Sequence, residues 1–110
     1  MSNQGNHCNI ISFLKDQFIP IKNIRAIIFG SFCNELEYDD CDLLLITNLN
    51  STNGNWKILR NETERIKSLF YEAFKVELSY MVYTRKEYNE NTEFLKRISR
   101  KKTIEISNSL

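Results

Sequence analysis

Residues 27–31 read Ile-Ile-Phe-Gly-Ser, and after eight further residues the chain continues at 40–46 with Asp-Cys-Asp-Leu-Leu-Leu-Ile. Short apolar runs bounded by turn residues are typical of buried strands. We therefore predict strands over 24–29 and 42–47, with a turn that begins at Gly30. The second strand is rich enough in Leu and Ile to be buried on both faces.

The two aspartates of this stretch are spaced for a shared ligand. Side chains two residues apart in a strand lie on the same face, so Asp40 and Asp42 project together while Cys41 faces the apolar layer. Paired carboxylates suit Mg²⁺, which takes oxygen ligands from protein and phosphate. Gly30 lets the backbone approach a phosphate closely, and the Ser31 hydroxyl can donate to it. The pattern predicts a site for a metal and a triphosphate.

The rest of the chain alternates helical and strand periodicity. The other predicted elements are a helix over 10–18 ended by Pro20, a loop over 48–55, a long helix from residue 56, a strand over 75–84, a helix over 87–99 and a short strand over 103–106. The predicted inward face of the long helix from residue 56 carries Leu59, Ile66, Leu69, Phe70 and Ala73. That of the helix over 87–99 carries Phe94, Leu95 and Ile98. This order indicates an α/β or α+β fold in which helices pack against a sheet.

Composition indicates one ordinary soluble domain. The chain has 110 residues, 42% of them hydrophobic and 26% charged, so we expect a single domain over 1–110 with a flexible stretch at 1–9. The net charge of +1 provides no overall attraction to nucleic acid or membrane. No signal peptide or spanning segment is recognisable, so a cytoplasmic location is expected. The chain has three widely spaced cysteines and one histidine, so we expect neither a disulfide framework nor a structural zinc site.

The Phe-Gly-Ser turn, the eight-residue interval and the Asp-Cys-Asp-Leu run together resemble the signature of the DNA polymerase beta-like nucleotidyltransferases, and most closely their minimal (MNT) form. The resemblance implies a small mixed sheet of about four strands with helices against it. It also implies ATP as substrate, Mg²⁺ as cofactor and a third carboxylate on a neighbouring strand. Glu77 stands where the family usually has aspartate, and the resemblance makes it a third metal ligand and the base that activates the acceptor.

By the same resemblance, stand-alone MNT proteins are often antitoxins that transfer AMP from ATP to a tyrosine of a HEPN ribonuclease toxin. The hypothesis for this chain is a Mg²⁺-dependent protein adenylyltransferase of that kind. In this scheme Gly30 and Ser31 hold the triphosphate, Asp40 and Asp42 bind Mg²⁺, and Glu77 assists as metal ligand and base. The cognate toxin is both acceptor and complex partner, and no membrane is involved.

The chain also departs from the family pattern, which supports an alternative. Phe-Cys-Asn-Glu follows the Gly-Ser pair where the family often has a small residue, arginine and glycine. Glu35, Glu37 and Asp39 add negative charge near the predicted phosphates. The alternative is a binding module with a decayed site that neutralises a toxin by surface contact. A third interpretation is transfer of nucleotides to tRNA ends, and it rests on the basic side chains of the C-terminal third. The ordinary explanation of these side chains is that they form the solvent-exposed face of a helix.

Overall fold

The computed structural model describes residues 7–33, 40–48, 54–90, 93, 96–97 and 102–110. Its elements, in chain order, are α1 (His7–Phe18), β1 (Ile24–Phe29), a 3-10 turn (Ser31–Cys33), β2 (Asp40–Thr47), α2 (Gly54–Phe74), β3 (Glu77–Thr84), α3 (Arg85–Glu90) and β4 (Ile104–Asn108).

The four strands form one mixed sheet in the order β3-β2-β1-β4. β1 lies antiparallel to both of its neighbours, β2 and β4. β2 and β3 are parallel, and α2 makes the crossover between them. The predicted fold class, an α+β domain with a small mixed sheet, is confirmed.

Helices α1 and α2 cover one face of the sheet. The helices and strands place their largest apolar side chains between these two layers, where Phe18, Phe70 and Leu43 are fully buried. α2 has a narrower apolar face than predicted. Leu69, predicted to face inward, is 37% exposed, and Ala73 is exposed as well.

The opposite face of the sheet carries a smaller apolar cluster. Ile27, Leu44 and Ile46 are buried there, and Tyr83 and the α3 residue Tyr88 pack against them. Because Leu43 and Leu45 are buried on the helical face, β2 is buried on both faces, as predicted.

Several boundaries differ from the prediction. β2 begins at Asp40 rather than at residue 42, so both aspartates belong to the strand. α2 begins at Gly54, inside the predicted loop. β3 begins at Glu77 because Lys75, with φ of 57°, adopts a left-handed conformation after the helix.

The ends of the chain differ too. α1 begins at His7, so residues 7–9 of the stretch expected to be flexible are helical. The last helix begins at Arg85 rather than at residue 87, and its predicted inward residues Phe94, Leu95 and Ile98 lie outside the described residues. Within the part of the chain that is described, no helix combines the length and apolar character that crossing a bilayer requires.

Candidate functional site

Asp40 and Asp42 are the first and third residues of β2. Both are partly buried, while Cys41 between them is fully buried in the helical layer. Their side chains therefore share the sheet face opposite α1 and α2, as the sequence predicts. This end of β2 lies beside the end of β1, where Phe29 is the register partner of Asp42. The turn that follows β1 is thus brought next to the aspartates.

Gly30 makes the closest approach to this pair. Its φ is +83°, a conformation that L-residues with a side chain rarely adopt. A Cβ added at Gly30 would lie 2.6 Å from Oδ2 of Asp42. Glycine is therefore required here twice, once for the backbone conformation and once to leave room for the carboxylate.

The electrostatics of the pair favour a bound cation. Burial raises the pKa of Asp42 above its usual value, and the charge of Asp40 raises it further. Among the described residues, no lysine or arginine forms a salt bridge with either aspartate. Two neighbouring carboxylates that lack a basic partner repel each other, and a divalent cation between them would remove that cost.

The turn after Gly30 is fixed by packing. Phe32 is fully buried in the helical layer, and the backbone N–H of Cys33 donates to the Gly30 carbonyl at 3.1 Å. The His7 ring stacks on the Phe32 ring with centroids 4.4 Å apart, and its Nε2 lies 2.8 Å from the Phe32 carbonyl oxygen. Ser31, predicted to bind phosphate, is the first residue of this 3-10 turn. α1 therefore clamps the turn that carries the predicted phosphate contacts.

Glu77 lies close to the pair by backbone position, but its carboxylate points elsewhere. It is the register partner of Asp40 across the parallel β2–β3 pair, which places both residues on one face. Its Oε1, however, lies 3.4 Å from Nζ of Lys67 on α2, so the side chain bends around the edge of the sheet. Within the described residues no group of three His, Cys, Asp or Glu side chains is arranged to hold a metal. The third-ligand role of Glu77 stays a prediction.

Two of the three cysteines are buried, and a buried thiol in apolar surroundings is inert. Cys8, Cys33 and Cys41 are free thiols, and the last two are buried. Burial raises the pKa of Cys41 well beyond the usual range of a thiol, and the neighbouring Cys33, Asp42 and Asp40 raise it further. Cys41 is a small apolar core residue, as predicted.

Sequence reasoning missed the charged side chains that line the groove between α2 and the outer edge of β3. A cavity of about 430 Å³ there is lined by Trp56, Arg60, Glu64, Lys67, Tyr80 and Val82. The Tyr80 hydroxyl donates to Glu64 at 2.5 Å, and burial and this bond raise its pKa to about 12. The four α2 residues recur every three or four positions, so their helical spacing was a usable signal.

No protein-family model matches the chain, and no curated protein matches it. A search of solved structures found the crystal structure of a protein from Sulfolobus solfataricus provisionally described as a nucleotidyltransferase. The two chains share 17% sequence identity, the match covers 77% of this chain and 76% of the other, and the TM-score is 0.46.

Proposed function

We propose that this chain is a Mg²⁺-dependent nucleotidyltransferase that transfers AMP from ATP to a protein hydroxyl. The observation that carries the proposal is the Asp40–Asp42 pair, held on one sheet face with the Asp42 pKa raised by burial and by its neighbour. Within the described residues the partly buried pair has no basic partner, and a hard divalent cation stabilises such an arrangement. Gly30 lies close to the Asp42 carboxylate, so the backbone of the turn that begins there can also contact a phosphate bound at the pair.

The donor set fits Mg²⁺, which commonly uses one or two protein carboxylates and completes its coordination with substrate phosphates. Asp40 and Asp42 would hold it, while Gly30 and Ser31 would hold the triphosphate. When bound, Mg²⁺ neutralises phosphate charge and makes the α-phosphorus more electrophilic. The clamped turn and the rigid strand fix the substrate relative to the acceptor, which lowers the barrier by positioning.

Glu77 is the proposed base. Its ion pair with Lys67 is solvent-exposed, and exposed pairs contribute only about 0–1 kcal/mol, so the carboxylate can swing to the face of Asp40 at small cost. There it would accept the proton of the acceptor hydroxyl. The hydroxyl oxygen forms a bond to the α-phosphorus, the bond to the bridging oxygen breaks, and pyrophosphate leaves.

The acceptor in this proposal is a tyrosine of a HEPN ribonuclease toxin, and the chain is its antitoxin. The proposal is supported by the position of the pair at the start of β2, where Asp40 is only partly buried and a protein surface can approach. Transfer of AMP to a toxin tyrosine would block the ribonuclease covalently.

The test is intact mass spectrometry of a candidate toxin incubated with ATP, Mg²⁺ and this protein. We expect a mass gain of one or more AMP units with the native chain and none with the Asp40→Asn/Asp42→Asn variant. Asp16→Asn is the matched control, because Asp16 is an exposed carboxylate on α1 far from the pair in sequence. Transfer that persists in the double variant would refute the assignment.

The alternative is a binding module with an inactive site. The observation that favours it is the position of the Glu77 carboxylate, which contacts Lys67 and not the aspartates. A tight complex with the toxin, protection of cells by the Asp40→Asn/Asp42→Asn variant and no mass gain with any nucleotide would together establish this alternative.

A further inference from the structure

A second cavity lies on the sheet face that bears the aspartates, toward the other end of β2. Arg25 of β1 is the register partner of Ile46 on one side and of Asn108 on the other, so these three residues form a row across the sheet. Ile46 follows Asp42 by four residues and therefore shares its face. A cavity of about 310 Å³ lies over this row, and α3 forms its wall. Its lining includes Arg25, Ile46, Arg85, Tyr88, Asn89 and Asn108.

The polar groups of this cavity are mainly hydrogen-bond donors, and two of them are cationic. Two guanidinium groups and two side-chain amides converge on it, and none of the described residues that line it carries a carboxylate side chain. Glu105 lies beside the cavity and accepts from Nε of Arg25 at 2.6 Å, which fixes that guanidinium. Arg85 forms no salt bridge within the described part of the chain. An excess of positive charge therefore remains.

Regular structure and local hydrogen bonds hold the other donors in place. Arg85 is the first residue of α3, and the start of that helix is fixed by a cap. The Glu87 N–H donates to the Thr84 hydroxyl at 3.1 Å, and the Thr84 N–H donates to the Glu87 carboxylate at 2.9 Å. The side-chain oxygen of Asn108 accepts from the Leu110 N–H at 3.3 Å, which leaves the Asn108 NH₂ group to donate. Donors fixed in this way bind a ligand at a lower entropic cost.

We propose that this cavity binds the phosphate group of a small phosphate monoester. A guanidinium presents paired N–H donors that fit two oxygens of a carboxylate or a phosphate. Here one guanidinium comes from the sheet at Arg25 and the other from the helix at Arg85. A carboxylate has two oxygens and is saturated by one such contact. A phosphate monoester has three terminal oxygens and a charge of roughly −1.5 to −2 at pH 7, so it can accept from both sides.

The size and shape of the cavity limit the rest of the ligand. Its volume of about 310 Å³ is at the low end of ligand sites, which measure roughly 300–1,000 Å³. Ile46 and the ring of Tyr88 supply apolar surface for an organic part of about the size of a pentose. A nucleic acid fits poorly, because each further phosphate needs its own cation. The next residues along this face are the buried, apolar Ile27 and Leu44.

The cavity is separate from the aspartate pair. Four residues of strand between Asp42 and Ile46 correspond to roughly 14 Å. Leu44 lies between them and is buried in the cluster against which Tyr88 of α3 packs. A small ligand in the cavity therefore does not reach the carboxylates. The inference concerns a second site and does not rest on the proposed function.

The test is a titration of the protein with ribose 5-phosphate, followed by two-dimensional ¹H–¹⁵N NMR at constant ionic strength without Mg²⁺. We expect saturable shifts of the side-chain amide signals of Asn89 and Asn108, and none with ribose. Leaving out Mg²⁺ disfavours binding of phosphate at the aspartates, because like charges repel. The Asp40→Asn/Asp42→Asn variant should bind ribose 5-phosphate with native affinity.

Two substitutions test the two sides of the cavity. Arg85→Gln and Arg25→Gln should each raise the Kd at least about tenfold, because each removes charge-assisted hydrogen bonds. Lys86→Gln is the matched control, since Lys86 is the next residue of α3, carries the same charge and does not line the cavity. It should leave the Kd unchanged. Thermal unfolding of each variant shows whether the fold is retained.

Each contrary result overturns a stated part of the proposal. No saturable shift with ribose 5-phosphate would refute the site. Equal weakening by Lys86→Gln and Arg85→Gln would show general attraction to positive charge instead of binding in the cavity. A native Kd for Arg25→Gln would refute contact from both sides. Gluconate, a carboxylate of similar size, should bind more weakly, and equal affinity would refute the preference for phosphate. Inorganic phosphate that binds as tightly as ribose 5-phosphate would refute the contact with the organic part.

Discussion

Gly30→Ala is the substitution whose effect follows most directly from the geometry of the site. Gly30 has a φ of +83°, and an L-residue in the left-handed region costs roughly 1–2 kcal/mol. For a domain of this size 1 kcal/mol corresponds to about 4 °C in Tm, so we expect Tm to fall by about 4–8 °C. Thermal unfolding followed by circular dichroism measures this directly.

The same substitution should also damage the carboxylate pair. The added Cβ would lie 2.6 Å from Oδ2 of Asp42, so the carboxylate must rotate away from its native position. Rotation of a side-chain end adds little to the loss of stability, but it misplaces a proposed Mg²⁺ ligand. We expect the affinity for Mg²⁺ and an ATP analogue to fall at least tenfold, which reduces ligand-induced stabilisation by about 1.4 kcal/mol at saturating ligand.

Gly54→Ala is the matched control, because Gly54 begins α2 and alanine favours helical backbone. It should leave Tm unchanged or slightly raised and should not alter ligand binding. A Gly30→Ala protein with native Tm would refute the left-handed conformation. A Gly30→Ala protein with a lowered Tm but native ligand affinity would refute the proposal that binding depends on the space that Gly30 leaves for the Asp42 carboxylate.

Three further predictions concern other parts of the molecule. The pKa of Asp42 is raised in the folded protein, so the folded protein loses stability as the pH rises through that pKa. Asp42→Asn removes this loss, and the variant should therefore be more stable than the native chain at pH 7 without Mg²⁺, as measured by thermal unfolding. Cys41 should stay unreactive toward a thiol reagent until the protein unfolds, whereas the exposed Cys8 should react at once, and equal rates would contradict the burial. Thr84→Ala should lower the free energy of unfolding in urea by about 1 kcal/mol, because it removes the cap of α3. In this cap the Glu87 N–H donates to the Thr84 hydroxyl at 3.1 Å, and the Glu87 carboxylate accepts from the Thr84 N–H. An unchanged urea midpoint would show that the cap does not stabilise the fold.

The central strands and the shared face of the aspartates could be predicted from sequence because they depend on local periodicity. Apolar runs identified β1 and β2, and the two-residue period placed Asp40 and Asp42 together. Boundaries were less accurate, since residues such as Gly54 and Asp40 follow neither period clearly. β2 extends to Asp40 because that residue pairs with Glu77 of β3, and a contact between two distant segments leaves no local period in either of them.

The contacts that finish the site could not be predicted, because they join distant parts of the chain. The stacking of His7 on Phe32 spans 25 residues, and nothing in the local pattern of either segment indicates it. Alternation placed Glu77 on the correct face of β3, yet its carboxylate contacts Lys67 on α2. The two-residue period of a strand determines the direction of each Cβ, but the rotatable bonds beyond Cβ allow the end of a long side chain to contact different partners.

The electrostatic cost at the aspartate pair is itself an argument about function. A module that only bound a partner by surface contact would be more stable with a neutral side chain at position 42, because burial and Asp40 both disfavour the Asp42 carboxylate. Retaining such a group lowers stability unless a cation offsets it, which is the usual trade between stability and activity at catalytic sites. It follows that Asp42→Asn separates the two proposals cleanly. The variant should fold at least as well as the native chain, so lost nucleotide transfer would report the missing metal ligand rather than a damaged fold.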